Sequence, residues 1–258
     1  YNNLNYMYKN YDPVFVLTTG RSGSKFISKV VNLSEEINGF HEPNPVMIFS
    51  RQFAYKNQEK IDTLTKMFEV ARIELIMNSF KNKKKYFESN QCLTFYSEAI
   101  NKIFPKSKFV HLIRRPDKFV LSAWQNGWYH RDNKWEYGRI KKNYRWKEKK
   151  QIEKLYWLWN ETNNYIENFK KNISKNRYIT IRSSDMFNDI NIVKELYDFI
   201  NLNDFNKNEI IRLQKNPINT KKKTKRKKTK QIIQDINNNL NLSDTFLTDK
   251  YNFKVVEQ

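Results

Sequence analysis

Short apolar runs and longer helical periodicities take turns along this chain. Val14-Phe15-Val16-Leu17-Thr18 is a β-branched and aromatic run held between Pro13 and Gly20, which predicts a buried strand. Ile27, Val30, Val31 and Leu33 follow at helical spacing, so residues 18–24 form a strand-to-helix turn. Asn38–Pro45 (NGFHEPNP) is a second cluster of turn formers. Between residues 59 and 80 the apolar positions Ile61, Leu64, Met67, Phe68, Ala71, Leu75 and Ile76 keep close to a 3.6 period, hence a helix. Tyr86-Phe87-Glu88-Ser89 reads as a strand and Thr94–Phe104 as a helix stopped by Pro105. Phe109–Ile113 is the clearest second buried strand, and Asp117–Trp124 the helix after it. Residues 148–170 are helical, Tyr178–Ile181 is a further strand, and Ile192–Ile200 is a helix following Asp189. The tyrosine-rich first dozen residues read as a loose lead-in. Strands alternating with helices imply an α/β fold with a short, mostly parallel central sheet flanked by helices.

Composition narrows the class. Of 258 residues 39% are hydrophobic and 15% aromatic, which is enough for a packed core and excludes wholesale disorder. No window approaches eighteen uncharged apolar residues, so no membrane-spanning helix is expected. No signal-peptide pattern opens the chain, which starts Tyr-Asn-Asn and leaves open a trimmed leader. The single cysteine, Cys92, forbids an intrachain disulfide and a Cys-built metal site, and suits a cytoplasmic protein. Charge changes the picture most: 48 Lys+Arg against 27 Asp+Glu give +21. Lys221–Lys230 alone holds eight basic residues and no acid. An anionic ligand, nucleic acid, an acidic polymer or a membrane surface would suit that excess.

Two segments carry candidate chemistry. Gly20-Arg21-Ser22-Gly23-Ser24 joins a strand to a helix, where backbone N–H groups and the positive helix end converge on an anion. Arg21 and Lys25 add charge there, and Ser22 and Ser24 add hydroxyls; a purely structural turn is the other reading. The segment is neither a Walker A loop nor GxGxxG. Arg114-Arg115-Pro116 with Ser122 follows the second buried strand, at the end where ligands of open α/β sheets bind. Arginine there offers bidentate recognition of a phosphate, while one of the two arginines can be a surface cap. Two such sites imply a ligand with two separated anionic groups. His41 and Glu42 in the HEP turn are candidate proton acceptors. His111 reads as core, and His130 sits near Trp128 and Tyr129, which with Trp124 and Trp135 line a sugar cleft or pack in the core.

TTGRSGSKF, FHEPNP and FVHLIRRPDKFVLSAWQ together resemble the sulfotransferases that use 3′-phosphoadenosine 5′-phosphosulfate (PAPS). The likeness runs from about residue 14 to 223, within a single domain spanning 1–258 that has helical insertions at about 51–85 and 126–176 and a basic loop at 220–230. It implies a P-loop-like three-layer fold and transfer of a sulfuryl group from PAPS to a hydroxyl, releasing adenosine 3′,5′-bisphosphate, with no metal required. By the same resemblance Gly20, Arg21, Ser22, Gly23, Ser24, Lys25 and Phe26 hold the 5′-phosphosulfate. Arg114 and Ser122 hold the 3′-phosphate, and Lys221 and Lys222 close over the nucleotide. Arg21 stabilises the leaving group, and Glu42 or His41 is the base, with Glu42 favoured. The family's Tyr-Glu-Asp after the late strand reads Ser183-Ser184-Asp185 here, which removes the tyrosine that would stack on adenine.

The acceptor is expected to be a carbohydrate, an anionic glycan suiting the basic surface; a protein tyrosine is the alternative within the class. Outside it stand a nucleic-acid- or polyanion-binding protein using the lysine run, and a P-loop kinase. No aromatic residue interleaves the run, which weighs against a stacking platform for nucleic acid. The kinase is disfavoured by the missing Lys-[Ser/Thr] and by the lack of an evident Mg²⁺ carboxylate.

Overall fold

The computed structural model describes residues 2–130, 136, 138–142, 146–216 and 226–253. Helix α1 (Asn2–Asn10) stands where the sequence reads as a loose lead-in. Met7 and Tyr11 are buried, and the Tyr11 hydroxyl donates to the Lys84 carbonyl at 2.7 Å, so apolar side chains spaced among the asparagines dock this segment. Then come β1 (Val14–Leu17), α2 (Ser24–Val31), β2 (Ile37–His41), α3 (Ile48–Lys56), α4 (Ile61–Lys81) and β3 (Lys85–Ser89). A 3₁₀ turn (Gln91–Tyr96) runs into α5 (Ser97–Ile103), so the helix expected from Thr94 begins earlier and more tightly wound. β4 (Lys108–Ile113) leads to α6 (Pro116–Gln125), with proline in its first turn, and α7 (Gln151–Lys170) to β5 (Tyr178–Arg182). The chain ends with α8 (Ser183–Asn188), α9 (Ile190–Ile200), α10 (Lys207–Lys215), α11 (Arg226–Asn238) and α12 (Thr245–Lys250).

The five strands form one wholly parallel sheet in the order β2-β3-β1-β4-β5. All four residues of the central β1 are buried because helices cover both faces, which is why that strand reads as an unbroken apolar run. Alternate side chains go to opposite layers. Val14, Val16, Val110 and Leu112 pack with α2, α9 and α10, whereas Phe15, Leu17 and Phe109 pack with α4 to α7. Phe15 lies edge-on to Phe68 (5.7 Å between centroids) and tilted against Tyr86 (5.8 Å). Burying each such ring contributes about 1.5–3 kcal/mol.

One element departs from the sequence reading. Asn38–His41, read as turn, belong to β2, paired with Tyr86–Ser89 of β3. The turn proper starts at Glu42. Asparagine and glycine are poor strand formers, yet β2 is an edge. Asn32 supplies what a neighbouring strand would: its Oδ1 accepts from the Gly39 amide (2.7 Å) and its Nδ2 donates to the Gly39 carbonyl (2.6 Å). Among the described residues no helix is long and apolar enough to cross a membrane. Cys92 is buried.

Candidate functional site

β1 lies in the middle of the sheet, and the turn at its carboxyl end is therefore flanked by the ends of β3 and β4. Thr94 ties down its start: the Thr18 amide donates to Thr94 Oγ1 at 3.0 Å, and that hydroxyl donates to the Thr18 carbonyl at 3.0 Å. Gly20, Arg21 and Gly23 then take left-handed backbone angles (φ 80°, 55° and 92°). Arg21 carries the cost of that conformation in a non-glycine residue, a strain that concentrates at binding sites. Ser22 is fully buried; its hydroxyl donates to the Gly20 carbonyl (3.1 Å) and lies 3.3 Å from Thr19 Oγ1, so it braces the turn. α2 starts from Gly23 with no side-chain cap. The Phe26 and Ile27 amides return to the Gly23 carbonyl (2.9 and 3.0 Å), which leaves those of Ser24 and Lys25 at the open end of the helix. Backbone donors and helix dipole there favour an anion.

Arg114, just past β4, donates from Nη1 to the Arg21 carbonyl at 2.6 Å. Its own carbonyl accepts from the Trp159 indole at 2.8 Å, so a fully buried tryptophan of α7 fixes the backbone that carries it. Arg21 Nε donates to Ser122 Oγ on α6 at 3.1 Å. The two segments read separately from the sequence as candidate anion sites thus meet in one place. Ser183, opening α8, donates to the Ser22 carbonyl (2.6 Å) and lies 3.1 Å from the Ile113 carbonyl, joining the ends of β1, β4 and β5. Burial pushes the pKa of both Arg21 and Arg114 down; Glu42 opposes the shift at Arg21, and the two guanidiniums repel each other. Both remain cationic, because arginine does not lose its proton in proteins. Asp117, the acid near Arg114, is held by Arg115 through two bonds of 2.6 and 2.7 Å, which makes Arg115 the capping arginine of the pair. Two half-desolvated positive charges beside an open helix end fit a multiply charged anion.

The carboxyl end of β3 adds the remaining wall. Glu42 (φ 49°, left-handed) follows β2, and its amide donates to the Ser89 carbonyl at 3.2 Å. Gln91 Nε2 donates to Glu42 Oε1 at 3.2 Å, while Gln91 Oε1 accepts from Arg51 Nη1 at 3.4 Å. The same amide stands over Gly20, where a methyl group would lie 2.5 Å from Gln91 Oε1. Glu42 and the 20–24 turn therefore face each other across one glutamine. His41 turns Nδ1 toward Ser89, 3.2 Å from its carbonyl and 3.1 Å from its hydroxyl, and that hydroxyl donates to the Ser24 carbonyl at 2.7 Å.

Other expected residues lie elsewhere. Phe26 packs in the core against Phe187 (4.8 Å between centroids), and Lys25 points to solvent. His111 is buried in β4, 3.0 Å from Asn163 Oδ1, and His130 is exposed. Trp128 is buried edge-on to Phe119 at 5.9 Å, with its Cη2 beside Gly20, and the half-buried Trp146 and Trp157 pack against each other at 4.8 Å. Trp135, Lys221 and Lys222 lie outside the described residues. Gln91, Ser183 and Trp159 were missed. The available signal was position: Gln91 and Ser183 each follow the carboxyl end of a parallel strand.

Solved structures with a similar fold include sulfotransferases. The sulfotransferase domain from the curacin biosynthetic pathway shares 15% identity at a TM-score of 0.52, over 76% of this chain and 75% of that one. The sulfotransferase domain of the Synechococcus PCC 7002 olefin synthase shares 13% at 0.51, over 82% and 80%. Sulfotransferase STF1 from Mycobacterium tuberculosis H37Rv shares 12% at 0.51, over 82% and 72%. At such identities the likeness speaks for the fold. No curated protein matches the chain. The family model Sulfotransfer_3, described as the sulfotransferase family, matches residues 13–207, which take in the turn after β1, the Glu42 turn and the Arg114–Ser122 segment. By that match the chain belongs to the sulfotransferase family.

Proposed function

We propose that this protein transfers a sulfuryl group from PAPS to an acceptor hydroxyl. The observation that carries this reading is the position of Arg21: strained in the β1 turn, bonded to Ser122, held at its carbonyl by Arg114, and electrostatically coupled to Glu42. In this reading the amides at the start of α2 and the Arg21 guanidinium bind the phosphosulfate, and Arg114 with Ser122 binds the 3′-phosphate. The acceptor oxygen forms the new bond to sulfur as the bond from sulfur to the phosphate oxygen breaks, and the acceptor proton passes to Glu42. Arg21 opposes the charge that grows on the departing phosphate oxygen, the step where fixed donors matter most. Glu42 rather than His41 is the base because its carboxylate faces the turn through Gln91, while one imidazole nitrogen of His41 is engaged by Ser89. A carbohydrate acceptor, an anionic glycan in particular, rests on the net charge of +21.

The test is thermal unfolding with adenosine 3′,5′-bisphosphate against ATP, at two salt concentrations. A ligand at a hundredfold its Kd stabilises by about 2.7 kcal/mol, so selective stabilisation by the bisphosphate is the expected result. Glu42→Gln should keep that shift and lower kcat by about 10²–10⁴-fold. Equal response to any polyanion, fading steeply with salt, would replace this reading with polyanion binding.

A further inference from the structure

Arg72 of α4 and Glu88 of β3 form an ion pair with both side chains fully out of solvent. Removing two charges from water costs several kcal/mol each, and apolar pairs of similar size often serve stability equally well. Fold stability alone is therefore a poor reason for this pair. The donors of Arg72 suggest another. Nε and Nη2 reach the two oxygens of Glu88 (2.7 and 2.9 Å). Nη1 donates to the carbonyls of Pro45 and Ala71 (both 2.9 Å), and Nη2 also reaches that of Pro43 (3.5 Å). All five N–H groups of the guanidinium are thus used. Glu88 is fixed in turn by the Tyr86 hydroxyl (2.6 Å) and Asn90 Nδ2 (3.0 Å), and Asn90 Nδ2 also lies 3.4 Å from the Val46 carbonyl.

Pro43 follows Glu42 directly and Pro45 stands two residues further on; neither has an N–H, so beyond the Glu42 amide, which donates to the Ser89 carbonyl, their carbonyls are where this turn is held. We propose that the Arg72–Glu88 pair is a positioning device: from the core it grips the carbonyls of Pro43 and Pro45 and so aims the Glu42 carboxylate at the transferring group. This rests on the sulfotransfer reading above. Lysine, a point charge with three donors, cannot reproduce a planar fork that grips a carboxylate and two carbonyls together.

The decisive variant is the double replacement Arg72→Met with Glu88→Leu, compared with wild type, Arg72→Lys and Glu42→Gln. Turnover is read as release of adenosine 3′,5′-bisphosphate from PAPS, with chondroitin as acceptor and with water alone as the floor. The double variant leaves the Tyr86 hydroxyl and the carbonyls of Pro43 and Pro45 without these partners, so its unfolding midpoint should fall below wild type, yet the folded protein should bind the bisphosphate within about twofold of wild type. Its kcat should fall at least tenfold with KM for PAPS unchanged. A folded, nucleotide-binding double variant with kcat within twofold of wild type overturns the proposal. Should the double variant not fold, Arg72→Lys decides by the same split: lost kcat with retained nucleotide binding supports the proposal, and unchanged kcat overturns it. The Glu42→Gln arm separates the two ideas. Full turnover in that variant sinks the base assignment itself, whereas an inactive Glu42→Gln beside an active double variant sinks only the positioning role.

Discussion

Gly20 shows how little room the site leaves. Its φ of 80° suits glycine, and a methyl group there would sit 2.5 Å from Gln91 Oε1 and 3.1 Å from Trp128 Cη2. Gly20→Ala should therefore lower stability by about 1–3 kcal/mol through backbone strain. It should also lower turnover more than nucleotide binding, because the displaced Gln91 no longer holds Glu42; urea unfolding read beside steady-state kinetics checks both. The glycines and Arg21 were legible in the sequence because a turn that must follow a buried apolar run announces itself by its breakers. Glu42 was legible through the prolines beside it. Gln91 was not: its importance lies in touching Glu42, Arg51 and Gly20 at once, and those contacts cross long stretches of chain. The Phe26 ring turns into the core against Phe187, and a motif does not say which of its side chains turns inward.

Among the elements, β2 depends most on a single side chain. Asn32→Ala removes both bonds to Gly39 at this exposed edge, where water can take their place, and should cost about 0.5–1.5 kcal/mol. Faster amide exchange at Gly39 than in β1 would locate the loss; protection equal to wild type would show that β3 alone secures the strand. β1 and β4 were legible because strands covered on both faces are apolar throughout. β2 was hidden because Ile-Asn-Gly-Phe-His shows neither alternation nor β-branching, and its pairing comes from β3 and Asn32. α1 was hidden for a similar reason, since its few apolar residues make sense only against the body they dock on. The helices of residues 61–81 and 151–170 carry enough periodic positions to declare themselves.

Across the molecule, a buried cluster joins the last helix to the sheet. Glu167 of α7 accepts from Lys170 (2.6 Å), Lys250 and the Tyr251 hydroxyl, and lies 3.3 Å from His111 of β4. Burial alone would raise its pKa; bonds from His111, Lys170, Lys250 and Tyr251 outweigh that and hold it well below the ordinary 4.5. A carboxyl depressed in the folded state stabilises fully above its unfolded pKa and loses that contribution as pH falls through the folded one. Wild type should thus lose stability below about pH 4.5, while Glu167→Gln should start lower at neutral pH and decline less steeply; urea midpoints from pH 7 to 3.5 distinguish the two. The strand order also bears on how the chain comes into being. Val14 pairs with Phe87 and with Lys108, and Phe109 with Tyr178, so no strand has a partner nearby in sequence. During synthesis, the central strand must wait until the chain has grown past Ser89 before any of its hydrogen bonds can close. Such distant closures make folding slow and leave apolar strands unpaired for longer. The arrangement that gathers the strand ends at one place thus leaves the growing chain with an unpaired apolar strand, open to aggregation, until its partner has been made.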